Sequence, residues 1–229
     1  EGRDYASLRD EHVADYQGLY GRTRLRLEGG RPDRAELPTE ERWRFFAGHD
    51  YADLGLKELV FNLGKYLIVA ASRPGSLPAG LQGPWSCHYR APWNGNYQIN
   101  INIPLIYAAG NALGLSECNR PFLDWIRASV IPGRAVAAAY YGTGGWVSHA
   151  TGNIWGHVAP GDDIEWGAFP SGAAWECRHL WEQYEFTGDE AGLREAYPIM
   201  KEAAQFWLEN LVEWRGALVA IPAVSAEQR

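Results

Sequence analysis

Methionine is nearly missing from this 229-residue chain, occurring once, and cysteine occurs only three times. Cys87, Cys118 and Cys177 are far apart, odd in number and free of any Cys-x-x-Cys spacing. A dense disulfide framework and a thiolate zinc site are therefore excluded as organising principles, and one bridge is left open. No apolar run approaches membrane-spanning length; the longest, Leu67-Ile68-Val69-Ala70-Ala71, has the length of a core segment. Basic residues are in deficit, 21 Lys and Arg against 28 Asp and Glu, which leaves a net charge of −7. Nucleic acid and anionic membranes both demand clustered Lys and Arg, so no nucleic acid and no membrane is expected as a partner. Several catalytic patterns are missing as well. There is no His-Glu-x-x-His, no His-x-His pair and no Gly-x-Ser-x-Gly, and Gly142-Thr143-Gly144-Gly145 lacks the Lys of a phosphate loop. Neither a metal nor a cofactor is expected on this reading. The chain opens on Glu1 without a Met or a basic-then-apolar leader, so the expectation is a removed leader or an internal piece of a longer protein.

What is present points to a folded helical domain. Hydrophobic residues make up 46% and charged residues 21%, the balance of a globular chain. Apolar residues recur at three- and four-residue steps along Leu56, Leu59, Val60, Leu63, Tyr66, Leu67 and Ala70, which predicts one stripe of an amphipathic helix. Ala173, Cys177, Leu180, Trp181 and Tyr184 give a second face, and Leu193, Tyr197, Met200, Ala203, Ala204, Trp207 and Leu211 a third. Between these two, Phe186-Thr187-Gly188-Asp189 reads as a tight joint, with Gly closing one helix and Asp capping the next. A fourth helix is expected from Pro121 to Tyr140, kinked or interrupted at Pro132-Gly133, and a weaker one over Ser7 to Leu19.

Two long stretches carry little helical pattern: Ser72 to Tyr97 and Gly142 to Phe169. Loops of that length in a compact domain are functional or disordered. Five of the eleven Trp (Trp85, Trp93, Trp146, Trp155 and Trp166) lie in them, which favours order and suggests pocket walls. Just after the first loop, Gln98-Ile99-Asn100-Ile101-Asn102-Ile103 alternates strictly, apolar on one side and amide-bearing on the other. Pro104 then suits the first turn of a helix through Leu105, Ala108 and Ala112. The carbonyl oxygens of Asn100 and Asn102 can accept hydrogen bonds from a water and orient it, or can satisfy backbone groups at a helix start. Glu227 follows the apolar segment Leu218 to Ser225, where a partly desolvated carboxyl stays protonated; the alternative is a solvated carboxylate. A loop His in an aromatic pocket can hydrogen-bond sugar hydroxyls, or can lie at the surface.

From Ser72 to Asn102 the sequence SRPGSLPAGLQGPW…APWNGNYQININ resembles glycoside hydrolase family 95, the inverting alpha-L-fucosidases. Matches continue in order through Leu115-Ser116-Glu117-Cys118, Gly145-Trp146-Val147, Ile154-Trp155-Gly156 and His179-Leu180-Trp181-Glu182. They go on through Phe186-Thr187-Gly188-Asp189 to Ser225-Ala226-Glu227, which is similar to that family's Ser-Pro-Glu. The resemblance implies an all-α fold, a partial (α/α)6 barrel comprising roughly the first half of a helical catalytic domain, with long aromatic-rich loops. On this reading residues 1–50 are a linker helix region, and residues 51–229 are the N-terminal part of the barrel, truncated at its C-terminus.

The activity so implied is inverting hydrolysis of terminal alpha-L-fucosyl residues, as in alpha-1,2-linked glycans. Glu227 matches the general acid, and Asn100 and Asn102 match the asparagines that position the attacking water. Trp85, His88, Trp93, Asn94, Asn96, His149 and Trp155 are the expected substrate-binding residues, and fucosylated glycans the expected partners. An extracellular or periplasmic setting follows from the resemblance alone. Three departures accompany it. Pro104-Leu105-Ile106-Tyr107-Ala108 stands where the family continues to Met-Asn-Tyr-Trp, and His149-Ala150-Thr151-Gly152-Asn153 replaces His-His-Asn-Thr-Asp. The family's base Asp lies well beyond its Ser-Pro-Glu, and no residue here matches it. The fragment alone is therefore expected to be inactive. The alternatives are a non-catalytic glycan-binding pseudoenzyme, or a related barrel hydrolase acting on alpha-L-galactosides or another sugar.

Overall fold

The computed structural model describes residues 2–161 and 163–225; Glu227 lies outside the described residues. The chain is mostly helical and divides into two compact units, Glu1–Ala70 and Ala71–Arg229. No helix among the described residues is long and apolar enough to cross a membrane.

The first unit contains α1 (Tyr5–Tyr20), α2 (Thr39–Ala47) and α3 (Leu54–Ala71). Asp4 opens α1, its carboxylate accepting from the Ser7 amide at 2.7 Å, which satisfies one of the donors a helix start leaves over. Asp53 both accepts from the Leu56 amide at 2.9 Å at the start of α3 and receives the two-pronged Arg42 guanidinium of α2 at 2.8 Å on each oxygen. One buried carboxylate thus joins two helices.

The helix expected from the 56–70 stripe is present, but its buried side differs. Leu56 is buried, whereas Leu59, Val60, Leu63, Tyr66 and Leu67 are exposed and Lys65, Ile68 and Val69 are buried. α3 is apolar on more than one side, so periodicity alone did not select the face. Lys65 turns inward because its ammonium sits 3.9 Å over the Tyr20 ring and donates to the Thr23 carbonyl.

In the second unit come β1 (Tyr97–Gln98), α4 (Asn102–Ala108), α5 (Arg120–Val136), β2 (Thr151–Gly152) and α6 (Ile164–Gly167). α7 (Gly172–Thr187), α8 (Glu190–Asn210) and a terminal hairpin of β3 (Leu211–Trp214) and β4 (Ala217–Ala220) follow. Gly188 takes a left-handed φ of 68° and Asp189 accepts from the Gly192 amide at 3.0 Å, the α7–α8 joint read from sequence. α5 runs unbroken past Pro132-Gly133 and ends in a π-helical turn over Ala137–Tyr141. Gly133 is required there: a Cβ would meet Trp146 at 2.8 Å and the Val147 carbonyl at 2.9 Å. α4 stops at Ala108, short of Ala112, because Gly110 passes against Asn119 so closely that a Cβ would lie 2.0 Å from its Oδ1.

Phe122 centres the core, stacked on Tyr107 at 4.9 Å and edge-on to His179 at 5.2 Å, with Leu115, Cys118, Ile126, Trp146 and Phe206 also fully buried. Trp146 is thus core filler, its indole N–H donating to the Ile199 carbonyl at 2.9 Å. Among the described residues no disulfide joins Cys87, which is exposed, Cys118, which is buried, and Cys177, which is half-buried.

Candidate active site

The amide row is placed by a short antiparallel ladder. Tyr97 pairs with Gly152 and Gln98 with Thr151, and the Ile99 amide donates to the Ala150 carbonyl at 2.8 Å. Tyr97 and Ile99 turn into the core, Tyr97 meeting Trp125 edge-on at 5.5 Å. The fit admits only Gly at 152, where a Cβ would strike the Trp125 ring at 2.8 Å. Because strand side chains alternate, Gln98 and Asn100 fall on the other side. Asn102 opens α4, and Pro104 sits in that helix's first turn, where its missing N–H leaves no gap.

α4 is in turn fixed through Tyr107. Its hydroxyl donates to Ser72 Oγ at 2.8 Å and accepts from the Ala79 amide at 2.7 Å, while Ser72 donates to the Cys118 carbonyl at 2.7 Å. That buried relay binds the start of the first long loop to the helix that presents Asn102.

Gln98, Asn100 and Asn102 together line a cavity of about 720 Å³, with Gln82 and Trp93 from the first long loop and Thr151, Trp166 and Gly167 from the second. The volume lies within the range of small-molecule sites. Asn100 is only 7% exposed, and its Oδ1 has no hydrogen-bond partner among the described residues. A buried acceptor left open costs roughly 1–3 kcal/mol, so it is a place where a water or ligand hydroxyl binds favourably. Among the described residues, neither Asn100 nor Asn102 satisfies a backbone group through its side chain.

The remaining expected site residues fall elsewhere. Trp85 is folded back over Gly83, and His88, Asn94, Asn96 and Trp155, the last 87% exposed, do not line the cavity. Asn153 Oδ1 accepts from the Trp155 and His157 amides at 2.9 and 3.2 Å and so shapes the loop that carries Trp155.

His149 is fully buried. Its Nδ1–H donates to the Val158 carbonyl at 2.9 Å, which leaves Nε2 to accept from the Tyr141 hydroxyl at 2.7 Å. Burial holds it neutral by lowering its pKa to about 4. Both ring nitrogens are committed within the protein.

Gln82, Gln98 and Thr151 are among the cavity residues that the sequence pattern did not single out for binding, whereas Trp166 is one of the loop tryptophans expected in a pocket wall. The signal for Gln98 was available, since it is the first member of the alternating amide face. Trp93 has a further peculiarity. Trp93, Asn94 and Gly95 follow one another with φ of 51°, 56° and 64°. For residues other than Gly that left-handed conformation costs roughly 1–2 kcal/mol each.

At the other end of the chain, the Val224 amide donates to the Ala168 carbonyl at 2.9 Å, next to Gly167 of the cavity wall. Among the described residues, no three His, Cys, Asp or Glu side chains gather so as to hold a metal ion.

A helical scaffold with an open cleft of amides and tryptophans therefore defines the domain. The glycosyl hydrolase family 95 catalytic domain matches residues 4–229, and the chain belongs to that family. It is 38% identical to "Probable alpha-fucosidase A" of Aspergillus niger over 98% of its own length and 29% of that protein. To "Alpha-L-fucosidase 2" of Arabidopsis thaliana it is 35% identical over 97% of its length and 27% of that protein. A second "Probable alpha-fucosidase A", from Aspergillus oryzae, is 33% identical over 67% of the chain. The chain spans less than a third of the length of these relatives.

Proposed function

We propose that this chain is part of a glycoside hydrolase that removes terminal alpha-L-fucosyl residues from glycans, alpha-1,2-linked ones included, by single displacement with inversion. The observation that carries the reading is the open Oδ1 of Asn100, buried on the wall of a cavity that Asn102 and Gln98 also line. An amide oxygen in that position accepts one hydrogen of a water and turns its lone pair toward the anomeric carbon, Asn102 helps to position the same water, and the water's other hydrogen passes to the general base as the new bond forms. Glu227 is the general acid that protonates the leaving glycosidic oxygen. In support, Val224, three residues earlier, is tied beside the cavity wall. The general base comes from a later part of the parent protein, since no residue here matches it. On this reading the helices are the first half of an (α/α)6 barrel, with residues 1–50 as the linker region before it.

The test is hydrolysis of an aryl alpha-L-fucoside by a protein of the relatives' length that carries this domain, with proton NMR of the released sugar. The expected outcome is β-L-fucose as first product and a rate about 10³-fold lower in Glu227→Gln. The 229-residue chain alone should bind sugar and turn over little or none. Release of α-L-fucose first, or full activity in Glu227→Gln, would overturn the mechanism. Sugar binding without turnover by the longer protein would establish a glycan-binding domain instead.

A further inference from the structure

Trp93 is the anomalous residue of the cavity wall. Its backbone lies in a left-handed turn shared with Asn94 and Gly95, a conformation that L-residues adopt singly and reluctantly. Its indole is nevertheless 71% exposed, so the burial that would offset the strain is forgone. The turn is held by three hydrogen bonds. The Asn94 amide donates to the Ala91 carbonyl at 3.0 Å, the Asn96 amide to the Trp93 carbonyl at 3.1 Å, and the Gln82 side chain to the Pro92 carbonyl at 3.4 Å. The backbone that carries the indole is thus held at the cavity before any ligand arrives, and that part of the ordering cost is met in advance. The cavity, about 720 Å³, is roomier than one pyranose ring requires. The amide row offers that cavity polar partners, and Trp93 offers it an apolar face.

We propose that Trp93 is the stacking platform for the sugar next to the terminal one, a pyranose presenting a continuous C–H face to the indole. The inference rests on the sugar-binding reading above and deepens it. It gives the cleft two subsites and its substrate at least two rings. An indole against the C–H face of a ring discriminates by shape and is indifferent to the terminal sugar's own hydroxyls.

The experiment is calorimetric titration of the 229-residue chain, Trp93→Ala and Trp93→Phe with two probes: free L-fucose and the disaccharide α-L-fucosyl-(1→2)-D-galactose. The wild-type chain should bind the disaccharide more tightly than the monosaccharide. In Trp93→Ala the ratio of the two affinities should fall about three- to tenfold, and Trp93→Phe should restore most of it. An unchanged ratio in a folded Trp93→Ala chain overturns the platform while leaving the sugar-binding reading intact. Failure of the wild-type chain to bind either probe removes that reading and the platform with it. Should Trp93→Ala not fold, saturation-transfer NMR on the wild-type chain decides. Transfer to the C–H protons of the second ring is expected, and its confinement to the fucosyl ring overturns the proposal.

Discussion

The two units bury different kinds of side chain. In Glu1–Ala70 the buried positions include Arg34, Arg42, Asp53 and Lys65 beside Leu19, Leu56, Ile68 and Val69, while Trp43, Phe45, Leu59, Leu63 and Tyr66 face outward. In Ala71–Arg229 the buried set is dominated by Ile99, Leu115, Phe122, Ile126, Trp146, Val147 and Phe206, and among the described residues its buried His149, Glu176 and His179 form no ion pair. One region is held in register by directed charge, through Arg42–Asp53 and Arg34–Asp50. The other is held by non-directional packing, within which a short ladder presents polar groups to a cavity. Packing supplies more stability per residue than buried ion pairs, whose desolvation cancels much of their attraction. A cavity whose walls must stay put thus belongs in the second unit, and that is where the amide row lies.

The largest effect expected of this contrast is at Phe122. Phe122→Ala should cost about 3–5 kcal/mol in urea unfolding followed by near-UV circular dichroism, because it empties the centre of the aromatic cluster. Asp53→Ala should cost about 3 kcal/mol, since it leaves Arg42 buried without its partner and α3 without its N-terminal acceptor. Hydrogen exchange should locate that loss in residues 39–70. If both losses spread evenly over the chain, the units are not energetically distinct.

Acid and alkali should separate the units next. The Arg42 fork lowers the Asp53 pKa to about 2, so its contribution is complete above the unfolded value near 4 and is lost as pH falls toward 2. Glu176 behaves oppositely. Burial raises its pKa to about 8 against the lowering effect of the Ser148 hydroxyl, which donates to it at 3.0 Å, so the native state holds a proton that the unfolded chain releases. Its contribution is complete below about 4.5 and declines as pH rises to 8. Burial also lowers His149 and His179 to about 4, and these withdraw stability below pH 6.5, leaving the interval from 6.5 to 8 to Glu176. Thermal melts of wild type should decline across that interval, and Glu176→Gln should flatten the decline without altering the acid limb of the first unit. A parallel decline in the variant would contradict the assignment. The smallest effect belongs to the outward side of α3, where Leu63→Ala should change stability by no more than about 0.5 kcal/mol.

How much of this was legible depends on range. The α7–α8 joint was readable because Gly188 and Asp189 act within one turn of chain. The amide face was readable because alternation is a local property of extended backbone. The buried side of α3 was not, since that depended on where Tyr20 and Thr23 receive the Lys65 ammonium, 42 residues away in sequence for Thr23. The five loop tryptophans looked alike in sequence, yet Trp146 packs in the core, Trp93 and Trp166 line the cavity, and Trp85 and Trp155 do neither. His149 carried the chemistry of a sugar ligand in sequence, but Tyr141 and Val158 occupy both its nitrogens, contacts no local pattern announces.

The measurement that bears most directly on the central claim is a titration of the 229-residue chain with L-fucose, followed through the side-chain amide resonances. The account predicts that the amide signals of Gln98, Asn100 and Asn102 shift together and saturably, while that of Asn62 in the first unit stays in place. Shifts confined to residues outside the cavity, or an amide row that does not move at saturating sugar, would contradict it.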